Sequence, residues 1–321
     1  MNIITIYTLK VLRKVYGKCL GFPSFAKPVG ENDVEKASQI IYQALTSPQP
    51  CMIARIGANE LSCLANFIGV TQHKNKFLDY IKGVSQPWWW EPNILKPMQQ
   101  GAGFFPINNA KLEQFCTMML RDIPLVDVLG AWLVNSHLFE QALSNSQKVN
   151  FELLNPYFSK TPWTKALAGK KVLVVHPFAR TIEQQYKKRE LLFKDNLLPQ
   201  FELMTVQAVQ SIAGNATAYA DWFEALEAMK AEIDKHDYDI CLIGCGAYGF
   251  PLAAHVKRMG KKGFHLGGSL QLLFGISGKR WANPNYSSQF NYAELMNEHW
   301  VNPADEEKPA GAIKVEGACY W

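Results

Sequence analysis

The chain has 321 residues, of which 48% are hydrophobic and 19% are charged, and its formal net charge is +5. This length suits one large α/β domain or two closely packed halves, and the composition is that of a globular protein rather than a disordered or fibrous one. The basic residues are spread out in short groups. The charge therefore favours small anionic ligands or a membrane surface and gives no support for a nucleic-acid partner.

The cysteines indicate the redox environment of the chain. There are seven, no Cys-x-x-Cys pair occurs, and most lie in apolar segments. An odd number without metal-ligand spacing favours buried, reduced thiols over a disulfide framework or a zinc site. We therefore expect a cytoplasmic protein.

The first segment, residues 1–30, is apolar but carries Lys10, Arg13, Lys14 and Lys18. These charges interrupt it too often for a membrane span, and they follow the apolar residues, whereas a signal peptide carries its charges first. Three interpretations stay open. The segment is a docking helix, a flexible tail, or an amphipathic segment that contacts the anionic inner membrane peripherally.

Helical and extended patterns alternate along residues 31–281. Asn32 is a predicted N-cap, and it is followed by apolar residues at helical spacing. The pattern "PCMIARIG" predicts a buried strand and "ANELSCLANFI" a helix, and residues 70–106 are rich in turn and aromatic residues. The pattern "NAKLEQFCTMML" then predicts a helix, and "IPLVDVLGAW" predicts a strand.

The alternation is clearest over residues 169–281. Strands are predicted at "KKVLVVH", "FELMTVQ", "YDICLIG" and "KGFHLGG". The helices between them are "RTIEQQYKKRELLF", "AYADWFEALEAMKAEIDKH" and "YGFPLAAHVKRMG". This order predicts an α/β fold with a Rossmann-like open parallel sheet and helices on both faces, within a domain that spans residues 31–281. Residues 282–321 are predicted to form an irregular C-terminal wrap.

The carboxyl ends of the strands are the expected place for a ligand site in such a sheet. Five segments meet this condition: residues 55–60, 176–180, 207–210, 244–249 and 265–271.

The segment "GCGAYG" fits Gly-x-Gly-x-x-Gly between a strand and a helix, with glycines at Gly244, Gly246 and Gly249. Such glycines let the backbone approach a phosphate, or they permit close packing of helix and strand. An NAD site also requires an acid at the end of the next strand. Because the segment there is "FHLGGSLQ", no NAD is expected.

Two further segments offer polar groups near strand ends or in loops. His176 is a possible general base or a histidine satisfied by the backbone, and Arg180 suits a phosphate or carboxylate. The loop "QPWWWEP" offers stacking surfaces and, in Glu91, a ligand for hydroxyl groups. Three consecutive aromatic residues cannot share one face, which favours a packed loop with one tryptophan as a possible platform.

The segment "IARIGANE" places Arg55 and Glu60 at the carboxyl end of a predicted strand. Either Glu60 caps the helix that begins near Ala58, or the pair forms a ligand site.

Together, the early Arg-x-Gly-x-x-Glu and the late "IGCGAYGFPLAAHVKRMGKKGFHLGG" resemble the GT-D fold glycosyltransferases, bacterial enzymes that use nucleotide sugars to build surface glycans. The early motif of that family is Arg-x-Gly-Asp-x-Glu, in which the two acids serve the metal and the nucleotide sugar. Arg55, Gly57 and Glu60 match it, and Ala58 stands at the aspartate position. One carboxylate binds Mn²⁺ or Mg²⁺ less well than two, because hard cations need several oxygen ligands.

The resemblance implies transfer of a sugar from a nucleoside diphosphate donor, with a UDP-sugar favoured, to a glycan or lipid-linked acceptor in surface polysaccharide synthesis. The alternatives are a non-catalytic nucleotide-sugar-binding protein and, less favoured, an NAD-dependent oxidoreductase. Lys279 and Arg280 are candidate phosphate ligands by charge alone. The catalytic candidates are Glu60, His176 and Glu91; the donor-binding candidates are Arg55, Gly57, Asn59, Arg180, Gly244, Gly246, Gly249, Lys279 and Arg280; the candidate metal ligand is Glu60.

Overall fold

Seven parallel strands form one open sheet in the computed structural model, which describes residues 2–71, 76–315 and 317–321. The order across the sheet is β3-β2-β1-β7-β6-β4-β5, and every neighbouring pair runs parallel. The Rossmann-like α/β fold predicted from the sequence is confirmed. The strands are β1 (Cys51–Ala54), β2 (Val128–Ala131), β3 (Gln147–Asn150), β4 (Lys171–His176), β5 (Glu202–Gln207), β6 (Ile240–Ile243) and β7 (Lys262–His265).

Helices cover both faces of the sheet because alternate residues of each strand point to opposite sides. Met52 and Ala54 of β1 join one hydrophobic core, and Cys51 and Ile53 join the other. The first core lies under α3, α5, α6, α9 and α10, and the second under α2, α7 and the C-terminal wrap. The α-helices of the described residues are α1 (Ile3–Leu20), α2 (Val34–Thr46), α3 (Ala58–Thr71), α4 (Phe77–Ile81), α5 (Pro92–Gln100), α6 (Asn109–Asp122), α7 (Ala179–Tyr186), α8 (Arg189–Leu192), α9 (Trp222–Ile233), α10 (Gly249–Arg258), α11 (Leu270–Leu273) and α12 (Lys279–Ala282).

Several predicted helices differ from the observed ones in their bounds, and for two of them the structure shows how. The N-cap of α2 is Asp33, whose side chain accepts a hydrogen bond from Lys36 N at 2.9 Å. Asn32 does not cap the helix because its side-chain oxygen accepts a hydrogen bond from Asn150 Nδ2 at 3.0 Å instead. The helix predicted over residues 180–193 is broken into α7 and α8. The backbone leaves the helical region at Lys188, with φ −108° and ψ 15°.

Two regions contain structure that the sequence patterns did not predict. Strand β3 lies at the edge of the sheet and has one buried residue, Val149, so it lacks the apolar run of the central strands. Helix α5 lies inside the segment predicted to be turn-rich. A sequence feature that favours the start of a helix there is Pro92, because proline is favoured at the first helical position.

The tryptophan loop packs against the protein, as predicted. Trp89 is buried against Tyr80, with ring centroids 5.0 Å apart, and Trp88 meets both rings edge to face. The Asn66 amide donates to the carbonyl oxygens of Pro87 and Trp89 at 3.2 and 2.9 Å. The loop is thus a structural bridge between α3 and α4.

The seven cysteines are all free thiols. Six are buried, and Cys19 on α1 is exposed, so the expectation of buried thiols fails at that position. Among the described residues, none of the helices combines the length and apolarity that a bilayer span requires.

The C-terminal segment, residues 282–321, contains short 3₁₀ turns and joins the second core through Tyr292 and Trp321. Glu307 fastens it to the protein. Its buried carboxylate accepts bonds from Arg180 N at 2.9 Å, from Thr181 N at 3.3 Å and from the Thr181 hydroxyl. This carboxylate lies at the amino end of α7, where the helix dipole favours negative charge.

A second carboxylate joins α2 to the loop before β4. Glu35 accepts bonds from Ser159 Oγ (2.8 Å), Lys160 N (2.7 Å) and Thr161 Oγ1 (2.6 Å). These hydrogen bonds, with that from the Thr161 hydroxyl the largest cause, lower the pKa of Glu35 to about 2.

Replacement of this carboxylate by an amide tests its part in stability. We expect Glu35→Gln to lower the free energy of unfolding at neutral pH by about 1 kcal/mol, a modest figure because solvent screens the carboxylate. The folded-state pKa lies below the ordinary value of 4.5, so the stabilisation is present above 4.5 and is lost as pH falls toward 2. Urea unfolding at decreasing pH measures this, with the exposed Glu113→Gln as control. A difference from wild type that does not shrink with acidification contradicts the assignment.

Candidate functional site

A cavity of about 470 Å³ opens at the carboxyl ends of the central strands. The segments that line it follow β1, β2, β4, β5, β6 and β7, and residues of the C-terminal wrap close it. This is where the connections of an open parallel sheet leave a crevice for ligands, and the volume falls within the range of about 300–1,000 Å³ seen for small-molecule sites.

The cavity brings together most of the residues that the sequence nominated. Arg55, Gly57, Asn59, Glu60, His176, Gly244, Gly246 and Arg280 line it, and Glu91, Arg180, Gly249 and Lys279 do not.

Arg55 follows β1 and depends on a glycine for its position. Its guanidinium lies against Gly267, where an added Cβ would come within 3.0 Å of Nη2, Nε and Cζ. Gly267 also has φ +71°, a conformation that side chains disfavour. The Cζ atom lies 5.6 Å from the centre of the Phe151 ring. Within the described residues Nε is buried without a hydrogen-bond partner, so Arg55 has an unused donor at the cavity wall.

Glu60 lies in the first turn of α3, beside Arg55, and its carboxylate folds back over Gly57. A Cβ at Gly57 would come within 3.0 Å of both carboxylate oxygens. Desolvation raises the pKa of Glu60 above its ordinary value, and the positive charge of Arg55 opposes the rise. A desolvated carboxylate next to a cation in a cavity has the properties expected of a functional group.

Asn59 is joined to α5 across the cavity rim. Its Nδ2 donates to the Pro97 carbonyl at 3.3 Å, and Gly101 leaves room for the amide because a Cβ there would lie 2.5 Å from Nδ2. That bond uses one of the two N–H donors, so the second N–H and Oδ1 are the groups that Asn59 offers to a ligand.

The three glycines of "GCGAYG" have different roles. Gly244 permits close packing, since a Cβ would lie 2.7 Å from both His176 Cδ2 and Gly267 O. Gly249 does the same against the His265 ring. Gly246 alone of the three has a positive φ (+59°), and a Cβ added there would lie 3.9 Å from its nearest neighbour, the Ala102 carbonyl oxygen. Packing therefore explains two glycines, and the third is where the backbone opens to the cavity.

His176 ends β4 and is buried. Its Nδ1 accepts a hydrogen bond from Phe178 N at 2.9 Å, and desolvation lowers its pKa to about 3. The neutral ring must then carry its proton on Nε2. His176 accordingly offers a hydrogen-bond donor, and the nitrogen that would accept a proton is already used by the backbone.

Arg280 reaches the cavity from α12. Its guanidinium lies 4.7 Å over the ring of Tyr320 and donates to the Tyr320 hydroxyl at 3.3 Å. Tyr320 in turn lies against Gly268, where a Cβ would collide with its ring. Burial raises the pKa of Tyr286, and both Arg280 and Arg55 oppose the rise. The two guanidiniums therefore converge on the turn that follows β7.

Several lining residues were not nominated from the sequence. Trp132 directly follows β2, so the strand-end rule would have found it; its Nε1 donates to the Ile56 carbonyl at 3.2 Å. Tyr320 and Trp321 come from an irregular segment that has no periodic signal. Gln271 Oε1 and Trp321 Nε1 are buried without partners in the described residues, and with Arg55 Nε they place three unsatisfied polar atoms on residues that line one cavity.

The residues outside the cavity have structural partners. Glu91 is the N-cap residue of α5 and pairs with Lys10 at 2.6 Å. The Arg180 side chain is exposed and lies 3.7 Å from Glu306. Lys279 begins α12 and is exposed.

The carboxylates near the cavity bear on metal binding. In the described part of the chain, no three His, Cys, Asp or Glu residues cluster in a way that would hold a metal ion, and Glu60 is the only acid among the lining residues. These residues do not form a protein cage for a hard cation, which takes several oxygen ligands.

Fold and cavity together define a Rossmann-like α/β protein with a ligand-sized cavity at its strand ends. No family model, curated protein or solved structure matches the chain. The resemblance to the GT-D fold glycosyltransferases therefore stays a prediction from motifs.

The contact between Gly57 and Glu60 can be tested by a double-mutant cycle. The φ of Gly57 is not positive, so alanine there is limited by space alone. We expect Gly57→Ala to displace the carboxylate and to lower the free energy of unfolding by about 1 kcal/mol, at the low end for overpacking, because the colliding atoms are the end of a flexible side chain. In a Glu60→Ala background the same change should cost much less, because the colliding atoms are gone. Equal costs in both backgrounds, measured by urea unfolding, would show that Glu60 does not occupy this space.

The neutral state of His176 predicts a pH dependence. Its folded-state pKa of about 3 lies below the ordinary 6.5, so the unfolded chain binds this proton more readily and stability falls as pH decreases from 6.5 toward 3. His176→Gln removes this contribution and should flatten the plot of unfolding free energy against pH in that interval. An unchanged slope contradicts a buried, neutral His176.

Proposed function

We propose that the protein is a glycosyltransferase that moves a sugar from a nucleoside diphosphate donor, with a UDP-sugar favoured, to a glycan or lipid-linked acceptor in surface polysaccharide synthesis. The observation that carries this proposal is the assembly of Arg55, Arg280 and Glu60 in one cavity from segments more than two hundred residues apart. The resemblance of the motifs to those of the GT-D fold glycosyltransferases supports sugar transfer as the class of reaction.

The two arginines suit the diphosphate of the donor. A guanidinium binds phosphate oxygens through two parallel hydrogen bonds, and stabilisation of the leaving diphosphate is the main electrostatic task in sugar transfer. Arg55 has an unpartnered Nε beside Gly267, and Arg280 stacks on Tyr320, whose ring lies against Gly268 of the same turn. The open backbone at Gly246, just before α10, adds amide donors where a phosphate is favoured.

The walls of the cavity suit the base and the sugar. Trp132, Tyr286 and Trp321 supply aromatic surfaces against which flat rings stack. Gln271 Oε1 and Trp321 Nε1 are an acceptor and a donor without partners among the described residues, and a ligand with hydroxyl or amide groups satisfies both.

Activation of the acceptor hydroxyl needs a base. The raised pKa of Glu60 brings it closer to the working pH, as a general base requires, and it is the acid that lines the cavity among the described residues. His176, with its proton on Nε2, acts in this proposal as a donor that orients a substrate oxygen. Glu91, paired with Lys10 outside the cavity, has no part in it.

A single carboxylate leaves most of the coordination shell of a metal unfilled, so no step of the proposed reaction runs through Mn²⁺ or Mg²⁺.

Ala58 lies exposed at the cavity. A protein that binds nucleotide sugars without turnover is the second candidate, and this alanine favours it. Ala58→Asp places a second acid there, so metal-dependent transfer gained by this variant would mark the chain as a former enzyme.

Ligand-induced stabilisation tests the proposal. Thermal unfolding is followed with UDP, GDP, CMP and NAD, each with and without manganese. A ligand at a hundredfold excess over its dissociation constant adds about 2.7 kcal/mol of stability. We expect UDP to raise the midpoint and NAD to leave it unchanged. A shift with NAD alone, or with none of the four, overturns the proposal.

Matched variants locate the binding. Arg55→Gln and Arg280→Gln each remove a charged hydrogen-bond donor, and we expect each to weaken UDP binding by about tenfold to hundredfold. Arg180→Gln and Lys279→Gln remove the same charge outside the cavity and should bind as wild type. If the cavity variants and the outside variants lose UDP affinity equally, the loss reflects net charge alone and contradicts a binding site at Arg55 and Arg280.

A further inference from the structure

Helix α1 has an outward face that no other part of the described chain covers. Ile3, Ile4, Tyr7, Val11 and Val15 recur at intervals of three or four residues and therefore lie on one side of the helix. Their exposed fractions are 66, 69, 64, 58 and 53%. Lys14 and Lys18 lie on the same side and are exposed. We call these seven residues the outer face of α1.

The opposite side of α1 holds the helix to the protein. Leu9 is buried with Tyr80 and Trp89, Lys10 pairs with Glu91 at 2.6 Å, and Arg13 donates to the Tyr80 carbonyl. The docking interpretation of this segment thus applies to one side only. The apolar residues of the outer face are not needed for this contact, and their exposure calls for another partner.

The charge of this region indicates the chemistry of the partner. Residues 2–30 contain five basic residues, Lys10, Arg13, Lys14, Lys18 and Lys27, and no acidic residue. Apolar residues with lysines among them suit a surface of anionic lipid, where the side chains enter the acyl boundary and the ammonium groups meet phosphates. A second copy of the chain fits poorly, because two outer faces in contact would bring four lysines together.

Apolar side chains near α1 are exposed as well. Phe22 follows α1 and lies against Gly83, where a Cβ would contact its ring. Near this point Leu78 and Val84 are 69 and 58% exposed, and Phe22 itself is 47% exposed. Exposed apolar side chains in this region are therefore not confined to α1.

We propose that the outer face of α1 docks the protein on an anionic lipid surface, with the helix parallel to the membrane plane. The helix has 18 residues, so it would lie along about 27 Å of that surface.

The ion pair between Lys10 and Glu91 joins α1 to a helix that reaches the cavity. Glu91, the partner of Lys10, is the N-cap of α5, and at the other end of this nine-residue helix Gly101 and Ala102 line the cavity. A helix of that length spans about 13 Å. If the proposed function holds, docking through α1 presents the cavity to a lipid-linked acceptor. The docking itself requires no assumption about the reaction.

Vesicle co-flotation of the full chain tests the docking. The probes are vesicles of phosphatidylcholine alone and vesicles with phosphatidylglycerol added, at low and high salt. We expect binding to the anionic vesicles only, weakened by salt because screening shortens the reach of the lysine charges. Lys14→Gln with Lys18→Gln should weaken binding by roughly 30-fold, equivalent to about 1 kcal/mol per lysine. Ile4→Ser with Val11→Ser should also weaken it.

The control is Lys187→Gln with Lys188→Gln, which removes two exposed lysines from the end of α7 and should bind as wild type. The substituted side chains are all exposed, and the thermal midpoint checks that each variant folds. Absence of vesicle binding, equal binding to neutral vesicles, or a dimer in solution that Ile4→Ser with Val11→Ser dissociates would each overturn the proposal. UDP binding is measured on the same preparations. A protein that binds UDP but not vesicles contradicts the docking alone, and one that binds vesicles but not UDP contradicts the proposed function alone.

Discussion

The absence of a side chain at two glycines determines where the opposite charges of the cavity lie. Gly57 leaves space for the carboxylate of Glu60, and Gly267 leaves space for the guanidinium of Arg55. A Cβ at either position would displace the functional group next to it. Because interiors are close-packed, the two charged groups occupy space that these backbone positions leave open. The charged part of the site therefore depends on steric room that the turns after β1 and β7 provide.

Desolvation then sets the protonation of the groups around this pair. It raises the pKa of Glu60 and lowers those of His176 and His265 to about 3, since burial always disfavours the charged form. The histidines are neutral near pH 7, so the arginines supply the positive charge. The side chains that line the cavity include two guanidiniums and one carboxylate, and this excess of positive charge favours an anionic ligand.

Much of this arrangement was predictable because it follows strands with strong apolar runs. Arg55 and Gly246 each follow a central strand and His176 ends one, and the strand-end rule places all three at the carboxyl ends of the strands. Glu91 was predicted from the chemistry of its side chain alone, since it does not follow a strand, and it lies outside the cavity. Strand β3 was missed because an edge strand with one buried residue lacks the apolar run of a central strand. The glycine motif was ambiguous because spacing cannot distinguish packing from ligand approach, and only the geometry separates Gly246 from its neighbours.

The closing wall of the cavity was beyond prediction for a different reason. Tyr320 and Trp321 belong to a segment without periodicity, and their positions result from long-range contacts. Gln271 Nε2 donates to the Tyr320 carbonyl at 3.1 Å, and Arg280 N donates to the Cys319 carbonyl at 3.0 Å. These bonds hold the wall in place before any ligand arrives. A cavity whose charged and aromatic groups are already fixed loses little conformational entropy on binding, so less of the free energy of binding is used to order the protein.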